Sequence, residues 1–178
     1  MIRSMRKISI LTLSILFLAG IAVAQEEKKP LSPPAKAEAT LSGKKITIDY
    51  SAPSKRGRVI MGELVPYGEV WRTGANAATT LTTEGDLMIG SVHVPAGTYT
   101  LYTIPGEKEW TLIVNKQTGQ WGTKYDEAQD LGRTTLAVKA LAAPVETFAI
   151  SLPPKGQNQS TLTLKWENVE ATARVLAH

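Results

Sequence analysis

The chain has 178 residues, with 20 basic side chains, 16 acidic side chains and no cysteine. This length is typical of one domain, and the lack of cysteine excludes disulfides, thiolate metal sites, a cysteine nucleophile and a lipidated N-terminal cysteine. Because Arg3, Arg6 and Lys7 all lie in the first segment, the rest of the chain is nearly neutral; we therefore predict no nucleic-acid partner, and any recognition of an anion must be local.

The first segment has the pattern of a secretory signal peptide over residues 1–24. Its basic residues precede Ile8–Leu18, an almost unbroken apolar run, and Ala22-Val23-Ala24 is the small-residue triplet that a signal peptidase cleaves. An uncleaved anchor is the alternative, although Ile8–Ala24 lies at the lower limit for spanning the hydrocarbon core. We expect cleavage after Ala24 and no membrane span in the mature protein. Export without disulfides fits a bacterial periplasmic or secreted protein.

The next segment, residues 25–34, is charged and then proline-rich, and we expect it to be a flexible linker. Beyond it, apolar and polar residues alternate in Ala35–Leu41 and again in Ile46–Tyr50, with Ser42-Gly43 between them. This period-2 pattern around a turn signal predicts a β-hairpin. A long connection rich in arginine and aromatic residues follows, and Ala78–Thr83 resumes the β pattern.

The remaining segments are mostly short and β-like. Thr98–Ile104 carries large side chains on both faces, which indicates a central strand, whereas Asn115–Asp130 has too few apolar residues for a strand. The other β-like segments are Leu87–Ile89, Val92–Val94, Trp110–Val114, Thr134–Lys139, Val145–Leu152, Ser160–Trp166 and Val169–Val175. This pattern predicts an all-β fold: an antiparallel β-sandwich or barrel-like sandwich of about nine or ten short strands, in one domain over residues 35–178.

The sequence offers few groups for catalysis or metal binding. Of its two histidines, His93 alternates with valines in a strand and His178 is the last residue; no nucleophile elbow is present, so nucleophilic catalysis lacks its parts. A calcium site formed by Asp126, Glu127 and Asp130 is an alternative to a solvated loop, but their spacing does not match an EF-hand. We predict no catalytic residue, no metal site and no cofactor.

Two carboxylates, Glu63 and Glu69, lie in the connection between Tyr50 and Thr80 and could flank a catalytic cleft. A pair of carboxylates flanking a cleft is the arrangement of a glycoside hydrolase. The favoured alternative is that both form ion pairs with nearby arginines, because a buried arginine needs a partner.

The arginine/aromatic connection (Tyr50–Thr80) joins two strand-like segments and is the best candidate for a binding site. Its turn Ser54–Arg58 brings three cations around a glycine, and the backbone N–H groups of such a turn are suited to an anion. The guanidinium group of Arg72 is a planar fork for a carboxylate, phosphate or sulfate. Asn76 adds an amide donor and acceptor.

Aromatic side chains in the same connection extend this prediction. Tyr67 and Trp71 have flat faces suited to stacking on a sugar ring or an aromatic group. We predict a site for a small anionic or sugar-containing ligand, formed by Arg56, Arg58, Tyr67, Trp71, Arg72 and Asn76. In the alternative interpretation the connection is architectural: its aromatic residues close one end of the sandwich and its arginines cap carbonyl groups. Long ordered connections are often functional, so both interpretations stay open.

Motifs in the connection and in the later strands occur together in one known family. The motifs are Tyr50-Ser51, Pro53-Ser54, Arg56-Gly57-Arg58, Gly62–Gly68, Val70–Asn76, Ala78-Thr79-Thr80, Pro95–Tyr99, Leu101, Ile104-Pro105-Gly106, Glu109-Trp110-Thr111, Asn115-Lys116 and Gln120-Trp121-Gly122. Over Lys36–Val175 the chain resembles the bacterial domain of unknown function 2911 family. The resemblance implies an exported, β-rich bacterial protein, and it brings no assigned activity, substrate or catalytic residue.

Three functions fit these residues. The first is a non-catalytic binding module of the periplasm or medium. The second is a cell-envelope hydrolase that uses Glu63 or Glu69, and the third is a structural or protein-interaction component in which an exposed edge strand, Val169–Val175, pairs with a partner. Arginine, aromatic and amide side chains recognise ligands more readily than they react, which favours the binding module over an enzyme. The sequence indicates no oligomeric state.

Overall fold

The computed structural model of the protein describes residues 30–178. This part of the chain contains one 3-10 turn, Glu127–Gln129, and nine β-strands. The strands are β1 (Pro34–Leu41), β2 (Lys44–Ser51), β3 (Thr79–Thr83), β4 (Leu87–Ile89), β5 (Val92–Val94), β6 (Gly97–Ile104), β7 (Glu109–Asn115), β8 (Asp130–Ser151) and β9 (Gln159–Ala177). Within residues 30–178, no helix has the length and apolar character needed to cross a membrane. The predicted signal peptide and the first half of the predicted linker lie outside the described residues.

All nine strands belong to one antiparallel sheet with the order β1-β2-β3-β6-β7-β8-β9-β4-β5. The prediction of an all-β, antiparallel fold is therefore confirmed. The sheet curves around a single core, so that β1 comes close to β8 and β9 without hydrogen-bonding to them. Because β1 and β5 each have only one neighbour, the sheet is not closed into a barrel.

The first two strands form the predicted hairpin. Leu41 pairs with Lys44, so the loop has two residues. Ser42 and Gly43 both adopt positive φ, at 50° and 74°, and two positive φ values are what a tight turn matched to the strand twist requires. Ala37, Ala39 and Leu41 face the core from one side of β1, as the alternation predicts.

The prediction of a central strand at Thr98–Ile104 is also confirmed. β6 lies between β3 and β7 in the sheet, and each residue from Tyr99 to Thr103 is buried. A strand covered on both faces needs large side chains on both, which is the pattern that this segment carries.

The end of the chain differs from the expectation of short strands. The four separate segments predicted between Thr134 and Val175 form only two strands, β8 with 22 residues and β9 with 19 residues. Their pairing changes register between Ala140 and Val145 and again between Val145 and Ala149. A bulge interrupts the apolar alternation without ending the strand, so the sequence pattern shows a break where the backbone has none.

The position of Val169–Val175 is a correction to the sequence analysis. This segment was expected to be an exposed edge strand, but it belongs to β9, where residues 169–172 pair with β8 and Val175 pairs with β4. Arg174 is the only exposed residue of the segment. The first and last strands in the order of the sheet are β1 and β5.

Candidate functional site

The arginine/aromatic connection is tied to the sheet at Trp71. The backbone N–H of Trp71 donates to the carbonyl of Thr103 at 2.7 Å, and the N–H of Thr103 donates back to the carbonyl of Trp71 at 2.9 Å. Thr103 lies in β6. Two residues before it, Leu101 pairs with Thr79, the first residue of β3. Trp71 therefore pairs with β6 on the same side as β3. This pairing fixes the position of the neighbouring residue, Arg72.

The indole of Trp71 is part of an aromatic cluster. It stacks on Trp166 of β9 with the ring centroids 5.8 Å apart and the planes at 19°. The edges of Trp110 and Phe148 also meet it, at 6.2 Å and 5.0 Å. Trp71 is half-buried and packs against the core, so much of the flat surface that the sequence analysis assigned to a ligand is already covered by protein.

A buried carboxylate that the sequence analysis missed fixes the middle of the connection. Glu167 accepts hydrogen bonds from the backbone N–H groups of Ile60 at 3.3 Å and Met61 at 3.1 Å. Its oxygen also lies 3.5 Å from Nζ of Lys55. The sequence analysis gave Glu167 no role because nothing local links a residue of β9 to partners more than 100 positions away.

Three backbone N–H groups of the turn at Ser54–Arg58 already donate to acceptors of the protein. The N–H of Arg56 donates to a carboxylate oxygen of Glu146 at 2.7 Å. The N–H groups of Lys55 and Arg58 donate to the carbonyls of Glu146 and Lys55, at 2.7 Å and 3.1 Å. These three N–H groups are therefore not available to an anion, and the prediction of an anion at the backbone of this turn loses most of its donors.

The side chains of the first two arginines behave as the architectural interpretation predicts. The guanidinium of Arg56 donates to the carbonyl of Leu31, and that of Arg58 donates to the carbonyls of Lys55 and Ser54, at 3.0 Å and 2.7 Å. Both arginines are nevertheless exposed. Since a guanidinium has five N–H donors, each keeps donors for another acceptor.

Arg72 is different, because its guanidinium has no partner within residues 30–178. Its Nε is buried and makes no hydrogen bond, and no ion pair among the described residues includes it. The aliphatic part of the side chain lies directly over Gly122, where a β-carbon would collide with it. Burying a donor without an acceptor is unfavourable. The guanidinium of Arg72 can therefore donate to an acceptor that residues 30–178 do not supply.

Asn76 and Tyr67 complete the predicted set but have different positions. Asn76 is exposed, with its side-chain nitrogen 3.5 Å from the carbonyl of Ser32, and its own carbonyl accepts from the N–H of Gly122 at 3.1 Å. Tyr67 lies beside Gly62 and is 41% exposed. It is not part of the cavity that contains the other predicted residues.

A cavity of about 370 Å³, here called the arginine cavity, brings the remaining predicted residues together. Its lining includes no carboxylate and no histidine. Apart from Trp71, the apolar part of the lining comes from residues that the sequence does not single out, among them Leu31, Leu64 and Trp166. The predicted residues in the lining are Arg56, Arg58, Trp71, Arg72 and Asn76.

The two candidate carboxylates of a hydrolase lie elsewhere. Glu63 and Glu69 are exposed, and neither lines the arginine cavity. The preferred expectation that they form ion pairs with nearby arginines is wrong, because the acidic partners of all ion pairs within residues 30–178 are other residues. The basic, apolar lining has no general acid or base and is suited to holding an anion.

The other candidate residues contact neighbouring side chains. His93 is exposed on β5, with Nε2 at 3.5 Å from a carboxylate oxygen of Asp86. At the start of β8, Asp130 accepts from Tyr125 at 2.8 Å and from Arg133 at 2.9 Å. Burial, followed by the Asp130 carboxylate, raises the pKa of Tyr125 to about 12. No cluster of metal-ligating side chains occurs in the described part of the chain.

Comparison with known proteins matches nearly all of the described residues to one family. No curated protein and no solved structure matches the chain significantly. The sequence model of the family described as protein of unknown function (DUF2911) matches residues 32–175. This range starts just before β1, ends within β9 and contains the entire arginine/aromatic connection. The chain therefore belongs to the DUF2911 family.

Proposed function

We propose that this protein is a non-catalytic binding module for a small anionic ligand, which it holds in the arginine cavity. The observation that carries the proposal is the guanidinium of Arg72, which has a buried Nε and no acceptor within residues 30–178. It lines a cavity with two further arginines and no carboxylate. In such surroundings an anion gains charge-assisted hydrogen bonds and meets no repelling charge.

Anionic character is favoured over a neutral sugar as the feature that is recognised. Stacking on a sugar ring needs an open aromatic face. Trp166 stacks on Trp71, and Tyr67 lies outside the lining. A hydrolase has no comparable support, because Glu63 and Glu69 are not in the cavity.

The binding module acts after export, in the periplasm or the medium. The pattern of residues 1–24 supports a signal peptide that is cleaved after Ala24. Expression of the full chain in a bacterial host, followed by intact-mass measurement of the purified protein, tests this. We expect the mass of a chain that begins at Gln25. A mass that includes residues 1–24 contradicts the proposal.

A thermal-shift experiment tests anion binding. The protein purified after expression of the full chain is compared with Arg72→Gln and with Arg174→Gln, a control on β9 outside the cavity. The ligands are inorganic phosphate, sulfate, citrate and neutral disaccharides. A ligand at about a hundred times its Kd adds roughly 2.7 kcal/mol to the free energy of unfolding.

We expect at least one anion to stabilise the parent and Arg174→Gln, and to leave Arg72→Gln unchanged. Arg72→Gln should fold, because the guanidinium makes no internal hydrogen bond that the substitution would break; circular dichroism checks this. Equal stabilisation of Arg72→Gln, or an Arg72→Gln protein that does not fold, contradicts the proposal and favours a purely architectural connection.

A further inference from the structure

We propose that the ligand is an anionic amphiphile, with a phosphate or carboxylate head at Arg72 and an aliphatic body across Leu31 and Leu64. This inference rests on the proposed function and adds the chemical class of the ligand. The exposed apolar side chains of the cavity lining support it, because binding of an anion alone would leave them in water.

Most exposed large apolar side chains belong to two segments that each contribute a residue to the arginine cavity. Within residues 30–178 they are Leu31 at 70% exposed, Val59 at 49%, Leu64 at 47%, Tyr67 at 41%, Val70 at 39% and Trp121 at 55%. All except Trp121 belong to the segment before β1 or to residues 59–70 of the connection. Exposed apolar side chains that lie together often mark a place where something binds.

Two of these side chains lie in the cavity itself. Leu31 and Leu64 are lining residues together with Arg56, Arg58 and Arg72. Leu64 is exposed although its neighbour Val65 is 3% exposed and packs in the core. The connection therefore buries one apolar side chain and leaves the adjacent one facing the cavity, where solvent contact is unfavourable unless a ligand covers it.

The apolar and cationic parts of the cavity are held together by the protein. The guanidinium of Arg56 donates to the carbonyl of Leu31, and the side-chain nitrogen of Asn76 is 3.5 Å from the carbonyl of Ser32. Two predicted site residues therefore fix the segment that brings Leu31 beside the arginines. A ligand in contact with this wall and with Arg72 must carry both an apolar body and a negative charge.

Simpler ligands match the lining less well. A fully hydrophilic anion satisfies the arginines but leaves Leu31 and Leu64 in water, and a neutral amphiphile leaves Arg72 without an acceptor. The volume of about 370 Å³ lies near the lower end of small-molecule sites. It suits a head group with part of an alkyl chain.

The test is a titration with alkyl phosphates of increasing length, all below their critical micelle concentrations. Methyl, hexyl and decyl phosphate are compared with decyl maltoside as the neutral amphiphile. Binding to the protein purified from the full chain is followed by isothermal titration calorimetry. Each methylene that becomes buried should strengthen binding about fourfold.

Matched variants separate the head from the chain. Leu64→Ser removes an apolar residue from the cavity lining, whereas Val70→Ser removes an exposed apolar residue of the same connection that is not in the lining. We expect Leu64→Ser to reduce the ratio of decyl to methyl affinity at least about fivefold. We expect Val70→Ser to keep that ratio, and Arg72→Gln to weaken all three phosphates.

The outcomes for this inference and for the proposed function can be told apart. Methyl and decyl phosphate binding equally well, both depending on Arg72, overturns the amphiphile and leaves the anion-binding module standing. Decyl maltoside binding as tightly as decyl phosphate also overturns the amphiphile. No phosphate binding that depends on Arg72 overturns both.

If alkyl phosphates bind, a vesicle sedimentation experiment distinguishes a membrane lipid from a free amphiphile as the ligand. The protein is sedimented with vesicles of phosphatidylglycerol and phosphatidylcholine, and with vesicles of phosphatidylcholine alone. Sedimentation only with phosphatidylglycerol, lost in Arg72→Gln, supports an anionic lipid of a membrane. Tight decyl phosphate binding without sedimentation supports a free amphiphile.

Discussion

Two arginines that line the same cavity, Arg58 and Arg72, have different contacts. Arg58 hydrogen-bonds to carbonyls of its own turn, at 2.7 and 3.0 Å, whereas Arg72 has a buried Nε with no acceptor within residues 30–178. An arginine that caps carbonyls stabilises the fold, and one held without a partner favours a ligand. This difference of contacts separates architecture from binding in the connection.

Glu167 is the residue that most directly stabilises the shape of the connection. It is 8% exposed, and its carboxylate accepts from the N–H groups of Ile60 and Met61. Glu167→Ala leaves both buried N–H groups without an acceptor, so we expect the free energy of unfolding to fall by about 2 to 3 kcal/mol. Urea denaturation measures the loss.

The control for this prediction is Glu63→Ala. Glu63 is exposed, and surface substitutions of this kind usually change the free energy of unfolding by less than about 0.5 kcal/mol. Equal effects of Glu167→Ala and Glu63→Ala would show that the carboxylate of Glu167 does not hold the connection.

At the scale of elements, the arginine cavity depends on the loop after β7 as well as on the connection. The N–H of Gly122 donates to the carbonyl of Asn76 at 3.1 Å, and the side chain of Arg72 passes over its α-carbon. The loop therefore forms a support beneath Arg72 that only glycine allows, since any β-carbon would occupy the space of the arginine stem.

Gly122→Ala should weaken anion binding and also destabilise the loop, because the new β-carbon meets both the Arg72 side chain and the backbone carbonyl of Asn76. The new methyl group displaces Arg72, and we expect phosphate affinity to fall at least about tenfold, because a misplaced guanidinium loses charge-assisted hydrogen bonds. Calorimetric titration measures the affinity. The control is Gly85→Ala, for which the three nearest atoms to the new β-carbon all belong to the flexible Lys44 side chain. Unchanged affinity in Gly122→Ala would mean that the loop does not position Arg72.

The sequence predicts most elements of this fold because each follows from local patterns. Alternation and a two-residue turn predict the hairpin of β1 and β2, and large side chains on both faces predict the central position of β6. Continuous β8 and β9 were not predictable, since register shifts near Val145 interrupt the pattern that defines a strand.

The site was predictable only in its general position. The residue types in the sequence identify the connection that contains the arginine, aromatic and amide side chains. They do not show that Arg58 binds carbonyl groups whereas Arg72 has no acceptor within residues 30–178. The role of Glu167 depends on partners far away in sequence. The exposure of Leu64 beside buried Val65 depends on how the connection turns.

For the molecule as a whole, the curved sheet has charged pairs along its surface. On β9, Glu170 accepts from Nζ of Lys139 at 2.8 Å and from Nζ of Lys165 at 2.9 Å. The hydrogen bond from Lys139, followed by that from Lys165, holds the pKa of Glu170 below its ordinary value of 4.5. The ionised carboxylate is therefore preferred in the folded protein.

This preference predicts how stability depends on pH. A lowered pKa in the folded state contributes stability above the ordinary pKa, and the contribution is lost as the pH falls through the lower, folded value. We expect Glu170→Gln to be less stable than the parent at about pH 6, and this difference to narrow at about pH 3. Urea denaturation at both pH values measures it; a difference that stays constant or widens in acid contradicts the assignment.

The central claim, that Arg72 binds an anion, is tested most directly by observing its Nε–H group. Protein labelled with ¹⁵N-arginine gives a resonance for this group, assigned by its loss in Arg72→Gln, with Arg174 as an internal reference. Addition of decyl phosphate should shift the Arg72 resonance with a saturable dependence and leave that of Arg174 in place. An Arg72 resonance that stays fixed while the phosphate binds would contradict the account.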